Sequence, residues 1–411
     1  MNSPTTKVVI VQATIKQYRS GFFAGLHKRL AQDGIDLKVV YSEPNSLEAE
    51  KRDFVEVDGG LGVKVPADWL FSNRVVYQHA WRQLEGADLV VVEHASKHLL
   101  NYLLFASRLL NSRKVAFWGH GFHPNGTRVG RVLRQRMLHL PDWWFAYTER
   151  SVRYLLANGV PPEIVTNVQN AIDTNALACA AKSIDEGQAA ALLRSLGIAE
   201  GSRVGLYCGA LYSKKHLPML IASSALVRNA LPDFQLVIVG DGPDRQTVKD
   251  AASRYPWLHY VGPQFGAARA PYFRVADLLL NPGLVGLGIL DAFAVGMPVL
   301  TTVVPIHCPE IEYLEDGYNG VVTRHDVVTY ADAVVSTLSN HDLLDRLRQG
   351  ARQSGRKYTL QNMVEHFAGG VRTCLQSKRS SPRSWVTSLW MHTPPVRSPQ
   401  IPCDTHPRSP S

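Results

Sequence analysis

The sequence has few cysteines, and their spacing does not indicate a shared site. The five cysteines among 411 residues lie far apart and include no Cys-x-x-Cys pair. Their number and spacing exclude a disulfide scaffold and a zinc ribbon, and they are typical of a reducing compartment. The apolar run near the N-terminus is too short for a signal peptide. We therefore expect a cytoplasmic protein.

Charge is also scarce, and its small positive excess does not indicate a nucleic-acid-binding surface. Charged residues make up 19% of the sequence, with a formal net charge of +9. Part of this excess lies in residues 377–411, which contain five basic residues and one acidic residue. Nucleic-acid-binding domains concentrate more positive charge on one face. We therefore expect no nucleic-acid partner.

The sequence lacks an uninterrupted apolar stretch long enough to predict a membrane span. Residues 282–306 carry a single charge, Asp291, but they include four glycines and two prolines beyond Pro282. Glycine and proline at this density predict a buried loop, helix and strand of a globular domain rather than one membrane helix.

Short β-branched segments alternate with amphipathic helical segments along most of the chain. Ten segments are predicted strands, in two series: Lys7–Ala13, Leu37–Ser42, Asp88–Glu93, Lys114–Trp118 and Trp143–Thr148, then Arg203–Gly209, Phe234–Val239, His259–Val261, Asp277–Leu280 and Pro298–Thr301. Strands alternating with helices predict parallel sheets covered on both faces. Two such series predict an α/β protein with two doubly wound domains.

The domain boundaries follow from the gap between the two series and from a change in composition near the C-terminus. We place the first domain at residues 1–172 and the second at residues 173–376. Residues 377–411 contain eight serines and seven prolines with no sustained hydrophobic period. This composition predicts a disordered tail.

Doubly wound sheets bind ligands beyond the carboxyl ends of their strands, so the loops at strand ends are the candidate sites. The first such loop holds Gly21 alone rather than Gly-x-Gly-x-x-Gly, which disfavours a dinucleotide-dependent dehydrogenase; an ordinary turn explains it equally well. After the strand ending at Gly209, Lys214 and Lys215 could neutralise a diphosphate, although adjacent lysines are more often solvated. Gly240 and Asp241 follow the next strand, where a tight turn is the alternative.

The loop from Asn281 to Pro298 is the most glycine-rich of the candidates. Its backbone N–H groups around Gly286 and Leu287 could approach a ligand closely. The helix that follows contains Asp291, a lone acid among apolar residues, and a buried acid is costly unless it is hydrogen-bonded. Ribose hydroxyls could donate to Asp291, and nearby backbone N–H groups are the alternative donors.

Two further residues follow strand ends. His120 comes directly after the strand Lys114–Trp118, where it could contact a ligand or serve as a structural histidine. Glu310 could face the same ligand, or it could offset the dipole at the start of a helix.

A basic helix face is predicted near residue 130. Arg128, Arg131 and Arg134 recur at helical spacing and could rest on an anionic membrane surface. A solvated helix face is the alternative.

The motifs in the second half resemble, in order and spacing, those of the GT4-type retaining glycosyltransferases. The segments that carry the resemblance are Gly209–Lys215, Val237–Pro243 and Asp291–Val299, and Asn170–Asp173 resembles the family's domain-junction turn. The resemblance implies the GT-B fold, in which two Rossmann-like domains face each other across a cleft. It implies a nucleotide-sugar donor in the C-terminal domain and a glycan or lipid-linked acceptor on the N-terminal side.

The resemblance also implies roles for the candidates. Lys215 and His120 would be catalytic, with Lys215 stabilising the departing diphosphate and His120 touching the sugar or diphosphate. The donor would be bound by Gly21, Lys214, Gly240, Asp241, Gly286, Leu287, Asp291 and Glu310. We expect no cofactor and no metal, because the sequence lacks an Asp-x-Asp signature and cationic side chains can replace Mg²⁺. Peripheral association with the inner face of the membrane would suit a lipid-linked acceptor.

Three positions depart from the family pattern. Ala210 occupies the position of the family's loop arginine, Gly283 that of its first acid, and Asp291 is shorter than the usual glutamate. These departures keep two alternatives open: a nucleotide-sugar epimerase on the same fold, and a catalytically idle nucleotide-sugar-binding partner subunit.

Overall fold

The computed structural model describes residues 6–49, 53–57, 60–108, 111–121 and 135–378. The chain divides into two compact units. The first contains the N-terminus up to Thr14, Asp33–Asn167 and the chain from Gly369; the second contains Ile15–Gln32 and Val168–Ala368. The units differ from the predicted domains in three places, because Ile15–Gln32 and residues 168–172 join the second unit and the chain from Gly369 joins the first.

The first unit is built on a seven-stranded parallel sheet. Among the described residues, the strands of this unit are β1 (Thr6–Val11), β2 (Ile35–Tyr41), β3 (Gly62–Lys64), β4 (Ala67–Leu70), β5 (Val75–Gln78), β6 (Leu89–Glu93), β7 (Lys114–Gly119), β8 (Trp143–Ala146) and β9 (Val165–Asn167). The sheet order is β3-β2-β1-β6-β7-β8-β9, and β4 and β5 form a separate antiparallel pair. The central strands β1 and β6 are nearly continuous runs of buried valine, leucine and isoleucine, as parallel strands covered on both faces require.

The second unit is built on a six-stranded parallel sheet. Its strands are β10 (Val204–Cys208), β11 (Gln235–Val239), β12 (Leu258–Gly262), β13 (Leu278–Leu280), β14 (Val299–Thr302) and β15 (Gly320–Thr323). Their order is β12-β11-β10-β13-β14-β15. The strand order therefore reverses between β10 and β13, which is where open α/β sheets form a binding crevice.

Helices connect the strands in both units. Those described are α1 (Ser20–Ala31), α2 (Ser46–Ala49), α3 (Trp81–Leu84), α4 (Leu99–Ser107), α5 (Glu149–Ala157), α6 (Asn175–Ser183), α7 (Glu186–Ser195), α8 (Leu217–Ala230), α9 (Arg245–Arg254), α10 (Ala270–Val275), α11 (Gly288–Ala294), α12 (Val327–Ser339), α13 (His341–Lys357) and α14 (Leu360–Gln376). Each unit has a core of its own, with Phe117 and Trp144 central in the first and Phe234 and Tyr330 in the second.

All ten predicted strands are present, with ends within two residues of those expected. Strands β3, β4, β5, β9 and β15 are not predicted, since each is only three or four residues long and lacks a sustained apolar pattern. The basic helix face at Arg128, Arg131 and Arg134 and the predicted tail beyond Lys378 lie outside the described residues.

Candidate functional site

The reversal of strand order brings two of the predicted loops together. The loop Gly209–Lys215 follows β10, and the loop Asn281–Leu287, called the glycine-rich loop below, follows β13. The Leu284 N–H donates to the Lys214 carbonyl oxygen at 2.8 Å, and the Lys215 ammonium donates to the Leu284 carbonyl oxygen at 2.5 Å. The predicted residues Lys214, Lys215, Gly286 and Leu287 thus belong to one cluster at the topological switch point.

Lys215 and Lys214 have different surroundings within this cluster. Lys214 is exposed, whereas Lys215 is partly buried in the 3₁₀ turn Ser213–Lys215. Burial lowers the pKa of the Lys215 ammonium to about 8, because a charged amine is disfavoured away from water. The next residue, His216, has the left-handed conformation at φ 53°, which ends the turn before α8 begins. The Lys215 ammonium is therefore fixed by the surrounding protein rather than fully solvated.

Gly283 lies where the two loops are closest. A Cβ atom at this position would overlap the Lys214 carbonyl oxygen and lie 2.6 Å from the Lys215 Cα atom. Any side chain here, including the family's first acid, would therefore force the two loops apart. Close packing of the two loop backbones accounts for this departure from the family pattern.

Two side chains and one backbone N–H beyond the loop hold the glycine-rich loop in place. Thr302, at the end of β14, donates its hydroxyl proton to the Pro282 carbonyl oxygen at 2.5 Å. His307 Nδ1 accepts from the Val285 N–H at 3.0 Å, and the Cys308 N–H donates to the Val285 carbonyl oxygen. The Asn281 amide also donates to the Leu284 carbonyl oxygen at 3.1 Å. The loop is therefore fixed on the side toward β14.

The Val285 N–H has an acceptor in His307, and the next two backbone N–H groups along the loop differ from it in this respect. Those of Gly286 and Leu287 have no acceptor within the part of the chain that the structure describes. They match two of the predicted donor-binding positions, and free N–H groups near a cation are suited to an anion.

Asp291 forms an ion pair that the sequence did not predict. Its side chain is only 5% exposed; Oδ2 accepts from Arg269 Nη1 at 2.5 Å and Oδ1 from Arg269 Nη2 at 3.3 Å. Burial raises the pKa of the Asp291 carboxyl, and the Arg269 guanidinium opposes that rise. Arg269 ends the 3₁₀ turn Gly266–Arg269 after β12 and also lies beside Cys208. The pair places a second cation near the end of β10.

Gly240 and Asp241 form the tight turn that was the alternative reading of this segment. Gly240 has φ +152°, and a Cβ atom there would overlap the Gly209 carbonyl oxygen. Asp241 Oδ1 accepts from the Gly242 N–H at 2.8 Å and lies 3.5 Å from Arg245 Nη1. The turn is therefore packed against the loop that follows β10, and a role of Asp241 toward a donor stays a prediction.

Glu310 and Gly21 have neighbours within the second unit. Glu310 is buried in the 3₁₀ turn Pro309–Tyr313, and its Oε1 accepts from Asn170 Nδ2 at 2.5 Å. Burial raises the pKa of the Glu310 carboxyl, while the hydrogen bond from Asn170 acts in the opposite direction. Gly21, near the start of α1, lies against Leu360 and Asp173. Glu310 thus braces the predicted junction turn, and its contact with a donor stays a prediction.

His120 lies in the first unit, directly after β7. Its ring meets the edge of the Tyr147 ring at a centroid distance of 4.3 Å. All the other candidate residues lie in the second unit. A catalytic role for His120 remains a prediction.

Sequence reasoning missed Arg269, Thr302 and His307 as residues of the site. Thr302 and His307 are at and just after the end of β14, so the strand-end rule could have found them. Arg269 lies seven residues beyond β12, and only the fold shows that its guanidinium reaches Asp291.

Comparison with known proteins identifies part of this unit. The family model described as "Glycosyl transferases group 1" matches residues 202–340. This segment, called the group 1 segment below, is similar to that family. The group 1 segment contains the loop after β10, the glycine-rich loop and the Arg269–Asp291 pair, and the resemblance expected from the sequence is confirmed.

Two relatives are similar to parts of the chain. Phosphatidyl-myo-inositol mannosyltransferase of Mycobacterium leprae is 27% identical over 150 residues, which are 35% of this chain and 39% of that protein. D-inositol 3-phosphate glycosyltransferase of Jonesia denitrificans is 28% identical over 212 residues, which are 48% of this chain and 49% of that protein. The chain thus matches less than half the length of each of these relatives.

Two solved structures are similar over most of the chain. A glycosyltransferase from Rickettsia africae has a TM-score of 0.68 and 11% identity, covering 92% of this chain and 100% of that one. Anabaena Alr3699/HepE in complex with UDP has a TM-score of 0.64 and 14% identity, covering 90% of this chain and 100% of that one. At these identities the likeness concerns the fold, and the predicted GT-B fold is confirmed.

The described residues contain no helix that is long and apolar enough to cross a membrane.

Proposed function

We propose that this protein is a glycosyltransferase that moves a sugar from a nucleotide-diphosphate-sugar to an acceptor with retention of configuration. The observation that carries the proposal is the cluster at the switch point of the group 1 segment. There, the Lys215 ammonium is held against the glycine-rich loop by its hydrogen bond to Leu284. This is a preorganised cation at the position where α/β sheets bind phosphates.

Lys215 would stabilise the charge that grows on the diphosphate as the bond to the sugar breaks. Its ammonium is already oriented, so the reaction needs little reorganisation of the site, and partial burial strengthens the attraction. The N–H groups of Gly286 and Leu287 would add donors to the same phosphate groups. We expect no metal requirement, so saturating EDTA should leave most of the activity.

The Arg269–Asp291 pair would hold the nucleoside part of the donor. Each carboxylate oxygen of Asp291 accepts one hydrogen bond from Arg269 and keeps a second lone pair. Ribose hydroxyls can donate to those lone pairs, so that every acceptor position of the buried carboxylate would have a hydrogen-bond donor. We expect Lys214, Gly240 and Asp241 at the edge of the same site.

We place the acceptor on the side of the first unit, where His120 follows β7. We propose a glycan or lipid-linked acceptor, and the relative named phosphatidyl-myo-inositol mannosyltransferase supports the lipid-linked kind. A lipid-linked acceptor would place the protein at an anionic membrane surface, with the predicted Arg128 face as the first contact to test.

The test begins with binding. A thermal-shift screen of the full chain against UDP, GDP, ADP, TDP and CMP should reveal one nucleotide that raises the melting midpoint, because a ligand that binds only the folded state stabilises it. UDP is tested first, since the HepE structure holds UDP.

The matching nucleotide-sugar is then incubated with and without candidate acceptors. Transfer that requires an acceptor supports the proposal. Conversion of the donor in the absence of any acceptor would indicate an epimerase, and binding without turnover of any donor would indicate an idle subunit. No stabilisation by any nucleotide would overturn the donor site itself.

A further inference from the structure

His307 makes two hydrogen bonds that together define the positions of its protons. Its Nδ1 accepts from the Val285 N–H at 3.0 Å, so Nδ1 must carry a lone pair. Its Nε2 lies 2.8 Å from the Thr302 carbonyl oxygen, and a carbonyl can only accept, so Nε2 must carry the proton. Both bonds form together only in the neutral ring protonated at Nε2.

Thr302 links this histidine to a second one. The Thr302 hydroxyl donates to the Pro282 carbonyl oxygen at 2.5 Å, which uses its only proton. His325 Nδ1 lies 2.7 Å from the same hydroxyl oxygen and must therefore be the donor of that bond. Thr302 is fully buried. Its carbonyl oxygen accepts a hydrogen bond from His307 and its hydroxyl oxygen accepts one from His325.

These hydrogen bonds fix the part of the glycine-rich loop that lies next to the Lys215 contact. His307 holds Val285, the Cys308 N–H holds the Val285 carbonyl oxygen, and the neighbouring Leu284 carbonyl oxygen accepts from Lys215. The segment between Thr302 and His307 includes Val303 and Ile306, which are 47% and 36% exposed. His307 is thus the side chain that connects an exposed segment to the glycine-rich loop.

We propose that His307 is a positioning residue for donor binding: its neutral, Nε2-protonated ring holds Val285 so that the glycine-rich loop presents Lys215 and the next backbone N–H groups to the diphosphate. The inference rests on the proposed function. His307 touches neither donor nor reacting atoms in this role and acts through the loop.

Acid should weaken this arrangement, because protonation of Nδ1 removes the acceptor for the Val285 N–H. His325 is the titratable group that shares Thr302 with His307, and His216 lies against His325. Cys308 follows His307 in the chain and is influenced by Glu310, Lys215 and Lys214. Donor affinity of the wild type should therefore fall on acidification.

Three substitutions at one position separate the two bonds. His307→Asn keeps an acceptor near the place of Nδ1, His307→Gln keeps a donor that can reach Thr302, and His307→Leu keeps neither. His259→Leu is the matched control, since His259 is a partly buried histidine on β12 of the same unit whose Nε2 contacts Gln235 instead.

Two measurements on the full chain do not depend on activity. Nitrogen-15 NMR of the His307 ring should show the Nε2-protonated form near neutral pH. Hydrogen exchange at the Val285 amide should be faster in His307→Leu and His307→Gln than in the wild type, and close to the wild type in His307→Asn and in the control. A ring protonated at Nδ1, or equal exchange in all variants, would overturn the proposal.

Binding and kinetics then test the functional part with the nucleotide-sugar that stabilises the wild type. His307→Leu should raise the donor KM about three- to tenfold, the range expected for one lost hydrogen bond, with a smaller change in kcat. His307→Asn should restore most of the affinity and lose the acid-dependent decrease. If kcat and KM change equally in all three variants, His307 is only structural. If no nucleotide-sugar binds the wild type, the proposed function fails, while the NMR and exchange results still decide the role of His307 in the loop.

Discussion

Lys215 and Lys214 are adjacent in the sequence and both contact the glycine-rich loop, Lys214 through its backbone carbonyl and Lys215 through its side-chain ammonium. We expect Lys215→Ala to lower kcat about 100-fold, as does the removal of one preorganised charge stabiliser, and to raise the donor KM less. Lys214→Ala should change both constants less than Lys215→Ala does. Steady-state kinetics at saturating donor decide the point, and normal turnover of Lys215→Ala would shift the role to Lys214.

The depressed pKa of Lys215 predicts an alkaline limit to activity. The ammonium has a pKa of about 8 in the folded protein, so kcat/KM should fall as the pH rises through about 8, where the charge is lost. Lys215→Arg, whose side chain stays charged, should move the limit to higher pH. An unchanged limit in this variant would assign it to another group.

The same shift has a consequence for stability. Above pH 8 the folded protein releases the Lys215 proton, while the unfolded chain keeps it up to the ordinary pKa near 10.5. The unfolded state then binds more protons, so the Lys215 contribution to the free energy of unfolding should increase between these values.

Asp291 and Arg269 should act on binding rather than on the chemical step. Ribose hydroxyls do not change during the reaction, so a contact with them is equally strong in the ground and transition states. Asp291→Asn should therefore raise the donor KM and change kcat much less, and Arg269→Gln should do the same by leaving the acid unpaired. Equal losses in kcat and kcat/KM would instead place the pair at the reacting bond.

At the scale of elements, the closest approach of the two loops depends on Gly283. Gly283→Ala should lower the free energy of unfolding by about 1–3 kcal/mol, the usual range for overpacking, because its Cβ atom would meet the Lys214 and Lys215 backbone. It should also weaken donor binding. Gly288→Ala is the control, since a Cβ atom there has open space. Urea denaturation measures the free energy of unfolding of the two variants. Equal stability of Gly283→Ala and Gly288→Ala would contradict this packing.

The helix α1 shows how an element can follow the first strand of one unit and yet pack in the other. Phe22 meets the Phe367 ring edge-on at 5.3 Å, and Arg29 Nε donates to Glu365 Oε2 at 2.9 Å. Both partners lie on α14, in the part of it that belongs to the second unit. These pairs are more than 300 residues apart in sequence, and amphipathic periodicity cannot indicate which distant helix a face will meet.

At the scale of the whole molecule, the exchange of segments predicts how fragments behave. Residues 173–376, the second domain as the sequence predicts it, lack α1 and would expose the apolar surface that Phe22 covers. We expect this fragment to melt well below the intact protein or to aggregate, and a peptide of residues 15–32 added to it should raise the midpoint. Circular dichroism follows both, and a fragment that melts cooperatively at the intact protein's midpoint would show that α1 is dispensable.

Hydrophobic periodicity and strand-end glycines were sufficient to predict most elements, both parallel sheets and the position of the candidate loops. They suffice because parallel strands buried on both faces must be apolar runs and because loops must follow them. The resemblance of the motifs to those of GT4-type glycosyltransferases also implied the GT-B fold. Each of these features lies within a short segment of the chain, so it can be recognised in the sequence without knowledge of the tertiary structure.

The partners of the site residues were decided only by the tertiary structure. Asp291 pairs with Arg269, Gly283 must be a glycine because the Lys214–Lys215 backbone lies against it, and His307 reaches back to Val285. Each of these contacts joins segments from different strand ends, and their distances depend on strand order and register. The sequence by itself determined which residues reach the carboxyl edge of the sheet, whereas the reversal of strand order between β10 and β13 decided which of them meet.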